Sequence, residues 1–355
     1  MSIVVRILSL GWVTMMMIMS ITNVGDGAIS QNLIEMINII NNECPYFGIV
    51  INSNLLRDSL LQSSSSVPHS TIPYLDFAGR RFHIEVQVNQ KIISVLSGVG
   101  MLNAGITTQL LINIFNIEGV IQLGLSGSAD PQLQIADVII PHYWAHSGVW
   151  YWQRHGDGPS DELAFESIGD FTRKIGYLNI SEYETNPKYS DNLLNNLWYQ
   201  PEEIYSVDGE PDNRQQAFWV PVDEFYFSLA QKLEDSFFLR RCVNSTTCLP
   251  RPPKLVSAER GMSANVFVDN VAYRDFLHSK FNATLFDMES AAVALVCLQQ
   301  KTPFIAIKAI SDLAGDASSV EGSVFSSLAV QNALFASLQF LSLLPEQVQT
   351  LNLAQ

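Results

Sequence analysis

The sequence predicts an α/β fold of three layers, with helices on both faces of a mixed, mostly parallel central sheet. Short β-branched runs alternate with amphipathic helical segments in both halves of the chain, which is the order that builds βαβ units. Several predicted strands, among them 46–52, 119–127 and 304–310, are almost continuously apolar, as strands covered on both faces must be. Hydrophobic residues make up 47% and aromatics 10% of the 355 residues. That is ample for a large core and excludes disorder as the general state.

In chain order, LIEMINIINN (33–42) has apolar residues at helical spacing, YFGIVIN (46–52) reads as a strand, and 55–61 as a short helix. The serine tract at 62–66 reads as a flexible linker loop. Segment 80–88 alternates with period two, Asn89-Gln90 turns it and 92–98 returns, a hairpin. Helix 102–115 and strands 119–127 and 136–142 follow. From Trp150 to about Val220 the pattern dissolves into Gly, Pro, Asn and aromatics, an elaboration on one domain rather than a second core. Helix 222–235 closes it. Strand 255–259, helix 270–281, strand 283–287, helix 288–300, strand 304–310 and helix 320–344 complete the order, with no internal repeat.

Residues 1–28 read as a secretory leader. Arg6 precedes an uncharged apolar run over 7–21, and small residues follow at Gly25, Gly27 and Ala28. The run is shorter than the roughly 20 apolar residues that span a bilayer, so cleavage is preferred to a stable membrane anchor. One domain over 29–345 and a tail over 346–355 remain. Sequons at Asn179, Asn244 and Asn282 agree with this address. Cys242 and Cys248 bracket a short loop, and an oxidising compartment lets them pair, the alternative being two free thiols. Cys44 and Cys297 read as buried thiols. The expected destination is extracellular or vacuolar.

With 20 Lys+Arg against 35 Asp+Glu the formal net charge is −15. A nucleic-acid partner needs clustered cations, and so does an anionic membrane surface; neither is expected. His142 and His146 are spaced i,i+4, but they follow a strand with no helical pattern, so no metal site is expected. Trp144, Trp150, Tyr151 and Trp152 form either a pocket wall or a subunit contact.

Ligands of such folds sit beyond the carboxyl ends of the strands. Four strand ends carry unusual residues. Gly98-Val99-Gly100 and Ser126-Gly127-Ser128 let backbone N–H groups approach an anion or a sugar hydroxyl, or else form tight turns. The third glycine and downstream acid of a dinucleotide fingerprint are missing, which rejects NAD. Asp287-Met288-Glu289 opens a helix, where acids complement the dipole. The functional reading has Glu289, an acceptor with two oxygens, take both hydroxyls of a vicinal diol. Ser311-Asp312 follows an apolar strand. Either residue can cap a turn, whereas an acid in a partly desolvated cleft can donate a proton.

Taken together, 98–112, 120–141, 285–297 (LFDMESAAVALVC) and 309–316 (AISDLAGD) resemble, in order and spacing, the nucleoside phosphorylase and methylthioadenosine/adenosylhomocysteine nucleosidase superfamily. The leader, sequons and cysteine loop narrow the resemblance to its plant bark storage and wound-inducible vegetative storage members. The resemblance implies that Glu289 holds the ribose hydroxyls, Met288 packs beneath the sugar, and Asp312 protonates the departing purine. Phe267 matches the aromatic that stacks on the base, with core packing as its alternative, and Gly100, Ser126 and Gly127 match pocket-lining positions. It also implies a homo-oligomer and no cofactor, with inorganic phosphate as co-substrate of a phosphorolysis of purine-type nucleosides.

Departures fall on the nucleophile side. The glutamates of the nucleosidases are replaced by Asn52, Ser53 and Asn54, and the phosphate-binding Arg and Ser of the bacterial-type phosphorylases by Gln122 and Leu125. Arg57 matches another phosphate-binding arginine. The alternative function is therefore a storage or wound-response protein that keeps the fold with little turnover.

Overall fold

The computed structural model describes residues 30–43, 45–154, 156–161, 163, 173–179, 196–234, 236, 238–315, 320–345 and 347. The predicted leader, Cys44, most of the tail and part of the 150–220 elaboration lie outside the described residues. The chain divides into Met1–Glu43 and Cys44–Gln355. In the first unit, helix α1 (Gln31–Asn41) starts at Ser30, whose hydroxyl accepts from the Leu33 N–H at 3.3 Å.

The second unit begins with β1 (Tyr46–Ile51), α2 (Asn54–Leu61), β2 (Val67–Pro68), β3 (Tyr74–Phe77), β4 (Arg80–Gln87), β5 (Gln90–Leu96), α3 (Met101–Ile114) and β6 (Ile117–Ser128). After β7 (Val138–His146), the elaboration contributes β8 (Trp150–Trp152), β9 (Tyr177–Asn179), β10 (Asn196–Tyr199), β11 (Glu202–Ile204), β12 (Gln215–Ala217) and β13 (Val220–Pro221). The chain continues as α4 (Glu224–Gln231), β14 (Leu255–Ser263), α5 (Val271–Phe281), β15 (Leu285–Asp287), α6 (Ser290–Gln300), β16 (Phe304–Leu313) and α7 (Val320–Leu343).

The fold is the predicted three-layer α/β arrangement around a mixed sheet. β5, β1, β6 and β16 lie side by side and parallel. β16 also pairs antiparallel with β7, β7 is parallel to β14, β14 to β15, and β15 runs antiparallel to β6. Those five strands therefore close into a ring. Helices α3 and α6 pack together in one outer layer, and α2, α4 and α7 in the other.

The ring explains why the strands outrun their sequence signals. β7, predicted to end at 142, continues to His146; β14 reaches Ser263 and β16 reaches Leu313, because each finds a ladder partner there. The largest core joins Phe47, Ile49 and Ile51 to Ile305, Ile307 and Phe340 of α7. Full burial of each such side chain contributes about 1.5–3 kcal/mol. Val324–Leu343 of α7 is apolar and long enough to cross a membrane, but much of it builds this core.

One expectation changes. The serine tract is a tied loop rather than a free linker: Ser63 and Ser65 donate to Gln87 Oε1 at 3.0 and 2.7 Å, and Ser66 donates to Glu85. Polar side chains of β4 hold it, and these lie too far along the chain for local composition to reveal. The 150–220 elaboration carries small sheets of its own, β8-β10-β9 and β11-β12. Tyr199, Phe218 and Trp219 of this segment pack with Met262, Leu277 and Phe281.

Candidate active site

The elements converge on a cavity of about 210 Å³ at the carboxyl ends of β1, β6 and β16. Ser126, Gly127, Phe267, Met288, Glu289 and Asp312, singled out from four separate sequence segments, all line it.

Glu289 is freed for this site by its neighbour. Asp287 Oδ1 accepts from the backbone N–H groups of Glu289 and Ser290 at 3.2 Å each, so Asp287 caps α6. The Glu289 side chain makes no capping bond. Instead its Oε1 accepts from the Gly100 N–H at 2.9 Å and its Oε2 from Asn52 Nδ2 at 2.8 Å. One lone pair of each oxygen is thereby used and the others remain for ligand hydroxyls. Burial, and then the Asp287 charge, hold the Glu289 carboxyl above the ordinary glutamate range; Lys308 and the two donors oppose them. Gly100 adopts φ 102, a conformation open to glycine, and a Cβ there would meet Asn265 Oδ1 at 3.2 Å.

Asp312 is aimed by an irregularity. In the β16–β6 ladder Ile310 faces Ser126 and Asp312 faces Gly127, leaving Ser311 as the extra residue of a bulge. The Ser311 hydroxyl, 2.7 Å away, donates to Asp312 Oδ2. Gly127 leaves room for the acid, since a Cβ there would lie 3.2 Å from Asp312 Oδ1. Phe267 is 60% exposed at the cavity's edge, which excludes core packing as its role. Its segment is pinned to α3 by Asn265 Oδ1, which accepts from the Met101 N–H at 2.8 Å. Ser126 is buried, and its hydroxyl has no hydrogen-bond partner among the described residues.

Arg57 is placed elsewhere. Its Nε and Nη2 both reach Asp58 Oδ1, at 2.9 and 2.7 Å, and it does not line the cavity. Gln122 is fully buried behind the site, 2.8 Å from the Ser290 hydroxyl, while Leu125 is part of the wall. The aromatic cluster does not reach the cavity: Trp144 packs over Gly261, and Trp150 meets Tyr199 edge-on. His142 and His146 each pair with a carboxylate, Glu224 and Glu202 respectively. Cys242 and Cys248 are joined in a disulfide. Cys297 is buried. The three sequon asparagines are exposed.

Lys308 was the residue missed. Its ammonium lies 2.6 Å from Asp287 Oδ2, and both side chains are no more than 1% exposed. Gly124 makes the space, because a Cβ there would sit 2.4 Å from Lys308 Nζ. Ser263 and Ser290 donate to the same carboxylate. The available signal was a single lysine inside the otherwise apolar run FIAIKAI.

Residues 47–339, a span containing all four motifs, match the family model described as Phosphorylase superfamily. Bark storage protein A of Populus deltoides is 32% identical over 84% of this chain and 88% of its own length. The 5′-methylthioadenosine/S-adenosylhomocysteine nucleosidase of Staphylococcus carnosus is 24% identical over 64% of this chain and 70% of its own. The solved structure of the corresponding nucleosidase from Neisseria meningitidis, in complex with methylthio-immucillin-A, has a TM-score of 0.57 at 18% identity, covering 84% of this chain and 99% of that one. By sequence and by fold, the chain belongs to the phosphorylase superfamily and groups there with the bark storage proteins.

Proposed function

We propose that this chain binds purine-type nucleosides and cleaves their N-ribosidic bond. The observation that carries the reading is one cavity holding a buried carboxylate relieved of capping duty, Glu289, together with a bulge-aimed acid, Asp312. Glu289 takes the ribose diol, Met288 lies under the sugar, Phe267 stacks on the base and Asp312 gives it a proton. Breaking the C–N bond builds positive charge on the sugar and negative charge on the base. A carboxylate at one end and a proton donor at the other stabilise both. The nucleosidase relatives support this substrate class.

The sequence pointed to phosphate as the acceptor, but the cavity favours water. Asp287, Glu289 and Asp312 line it and, among the described residues, no Lys, Arg or His does. An incoming phosphate would find no cation in the cavity wall to offset its desolvation. The storage or wound-response reading draws on the bark storage relative and on the loss of the glutamates after β1. Val99, Leu102 and Phe267, exposed and apolar at and near the cavity mouth, support a homo-oligomer.

The deciding assay is release of base from adenosine, inosine and 5′-methylthioadenosine, with and without phosphate. Release at a rate indifferent to phosphate is expected. Micromolar binding without turnover would favour the storage reading, and neither binding nor turnover would overturn the site. The leader, the exposed sequons and the disulfide also support entry into the secretory pathway, towards the vacuole or the cell exterior. Protein made with its leader in a eukaryotic host should lose mass on digestion with a peptide N-glycosidase; unchanged mass would reject that route.

A further inference from the structure

We propose that Arg251 is a positioning residue for the proton donor: by clamping Asp137 it fixes the backbone that aims Asp312. The inference rests on the nucleoside-cleavage reading and extends that site to a loop outside its four motifs.

Asp137 is fully buried, and its carboxylate accepts four hydrogen bonds. Arg251 supplies two of them as a fork, Nη1 to Oδ1 at 2.9 Å and Nη2 to Oδ2 at 2.5 Å. The backbone N–H groups of Lys254 and Gln134 supply the others, at 2.8 and 2.9 Å. Each oxygen thus has two donors, which fixes the plane of the carboxylate and the turn that carries it. Arg251 is itself held in place. Its loop is closed by the Cys242–Cys248 disulfide, Leu249 is buried in the main core, and the Arg251 carbonyl accepts from Gln134 Nε2 at 2.8 Å.

The turn held in this way grips β16 just before its bulge. The Ile310 N–H donates to the Asp137 carbonyl at 2.9 Å, and the Ala136 N–H donates to the Ile310 carbonyl at 2.8 Å. These two bonds carry the β16–β7 pairing from Ala309, opposite Val138, up to the bulge at Ser311. Ala136 has φ 68, a left-handed conformation that alanine keeps only where its surroundings impose it. Without the Arg251 fork the buried carboxylate loses two of its four donors, the turn relaxes, and Ile310 moves with it. Asp312 stands two residues on, so the acid leaves its line to the base. Glu289 and Phe267 belong to other elements and stay in place.

The test sets Arg251→Gln against wild type on the fastest nucleoside of the panel and on 4-nitrophenyl riboside, whose leaving group departs without a proton. Arg251→Gln should lower kcat on the nucleoside by about 10- to 30-fold with KM within about threefold, the scale of a slightly misplaced catalytic group. On the riboside the loss should stay below about threefold, because no general acid is needed there. In an Asp312→Asn background the same substitution should cost less than about threefold on the nucleoside, since the group it positions is already gone. Arg251→Lys keeps the charge and loses the fork. It should fall between Arg251→Gln and wild type with the same selectivity, and it carries the test should Arg251→Gln fail to fold. Equal losses on the two substrates, or an undiminished loss in the Asp312→Asn background, would make Arg251 a structural residue only and overturn the proposal. Unchanged kcat would overturn it too and leave the cleavage reading standing. A wild type inert on both substrates would remove both.

Discussion

Asp312→Asn is expected to lower kcat for nucleoside cleavage by about a hundredfold or more, the usual contribution of a general acid, with KM nearly unchanged. The amide keeps the shape of the acid, and its place in the β16 bulge opposite Gly127 requires no charge. It retains hydrogen-bonding capacity toward Ser311 and a bound base. What it lacks is a transferable proton. A substrate whose leaving group needs no proton therefore separates this role from a structural one. On 4-nitrophenyl riboside the variant should fall short of wild type by less than about fivefold, since the missing general acid no longer limits the rate. Equal losses on both substrates would make Asp312 a structural residue, and unchanged turnover on the nucleoside would remove it from the mechanism.

What local pattern encodes was readable. The parallel strands announce themselves as apolar runs because both faces are covered. Glycines and acids stand out at the strand ends, although tight turns, the helix dipole and caps account for such residues as well. It was the resemblance of the four motifs to a known superfamily that gathered Glu289, Asp312, Phe267 and Gly127, and the structure brings all four to one cavity. Ring closure was not readable. β15 is three residues long and antiparallel to β6, and nothing in LFD specifies that partner. The same closure carries β16 past its apolar stretch and makes Asp312 part of a strand. Asn52 was read as the loss of a glutamate, because its value lies in a bond to Glu289, 237 positions away. Arg57 matched by position, yet its neighbour Asp58 takes its guanidinium.

The second large effect concerns the charge hidden behind the site. Lys308→Met is expected to destabilise the protein by about 3–5 kcal/mol, the cost of leaving one partner of a buried ion pair uncompensated. The Asp287 side chain is buried, and it is also tied to the start of α6 through two backbone N–H groups and the hydroxyls of Ser263 and Ser290. It cannot turn away to find water without unravelling that turn. Adding Asp287→Asn should restore most of the loss: the amide oxygen still accepts from both N–H groups, and no charge remains to be balanced. The same substitution should reach function through Glu289. Lys308 is the cation that favours ionised Glu289, against burial and Asp287, which favour the protonated form. With Lys308 gone the folded-state pKa of Glu289 moves further upward. Diol binding requires the ionised acceptor, so affinity is complete above that pKa and lost as pH falls through it. The acid limb of nucleoside binding should therefore move to higher pH in Lys308→Met and return towards wild type in the double variant. Urea unfolding reads the first effect, and titration of nucleoside affinity against pH reads the second. A single variant within about 1 kcal/mol of wild type, the scale of an exposed pair, would show that the Lys308–Asp287 contact carries no such energy. An unmoved acid limb in a destabilised variant would confine Lys308 to holding the ring of strands together, with Glu289 ionised by its hydrogen bonds to Gly100 and Asn52 alone.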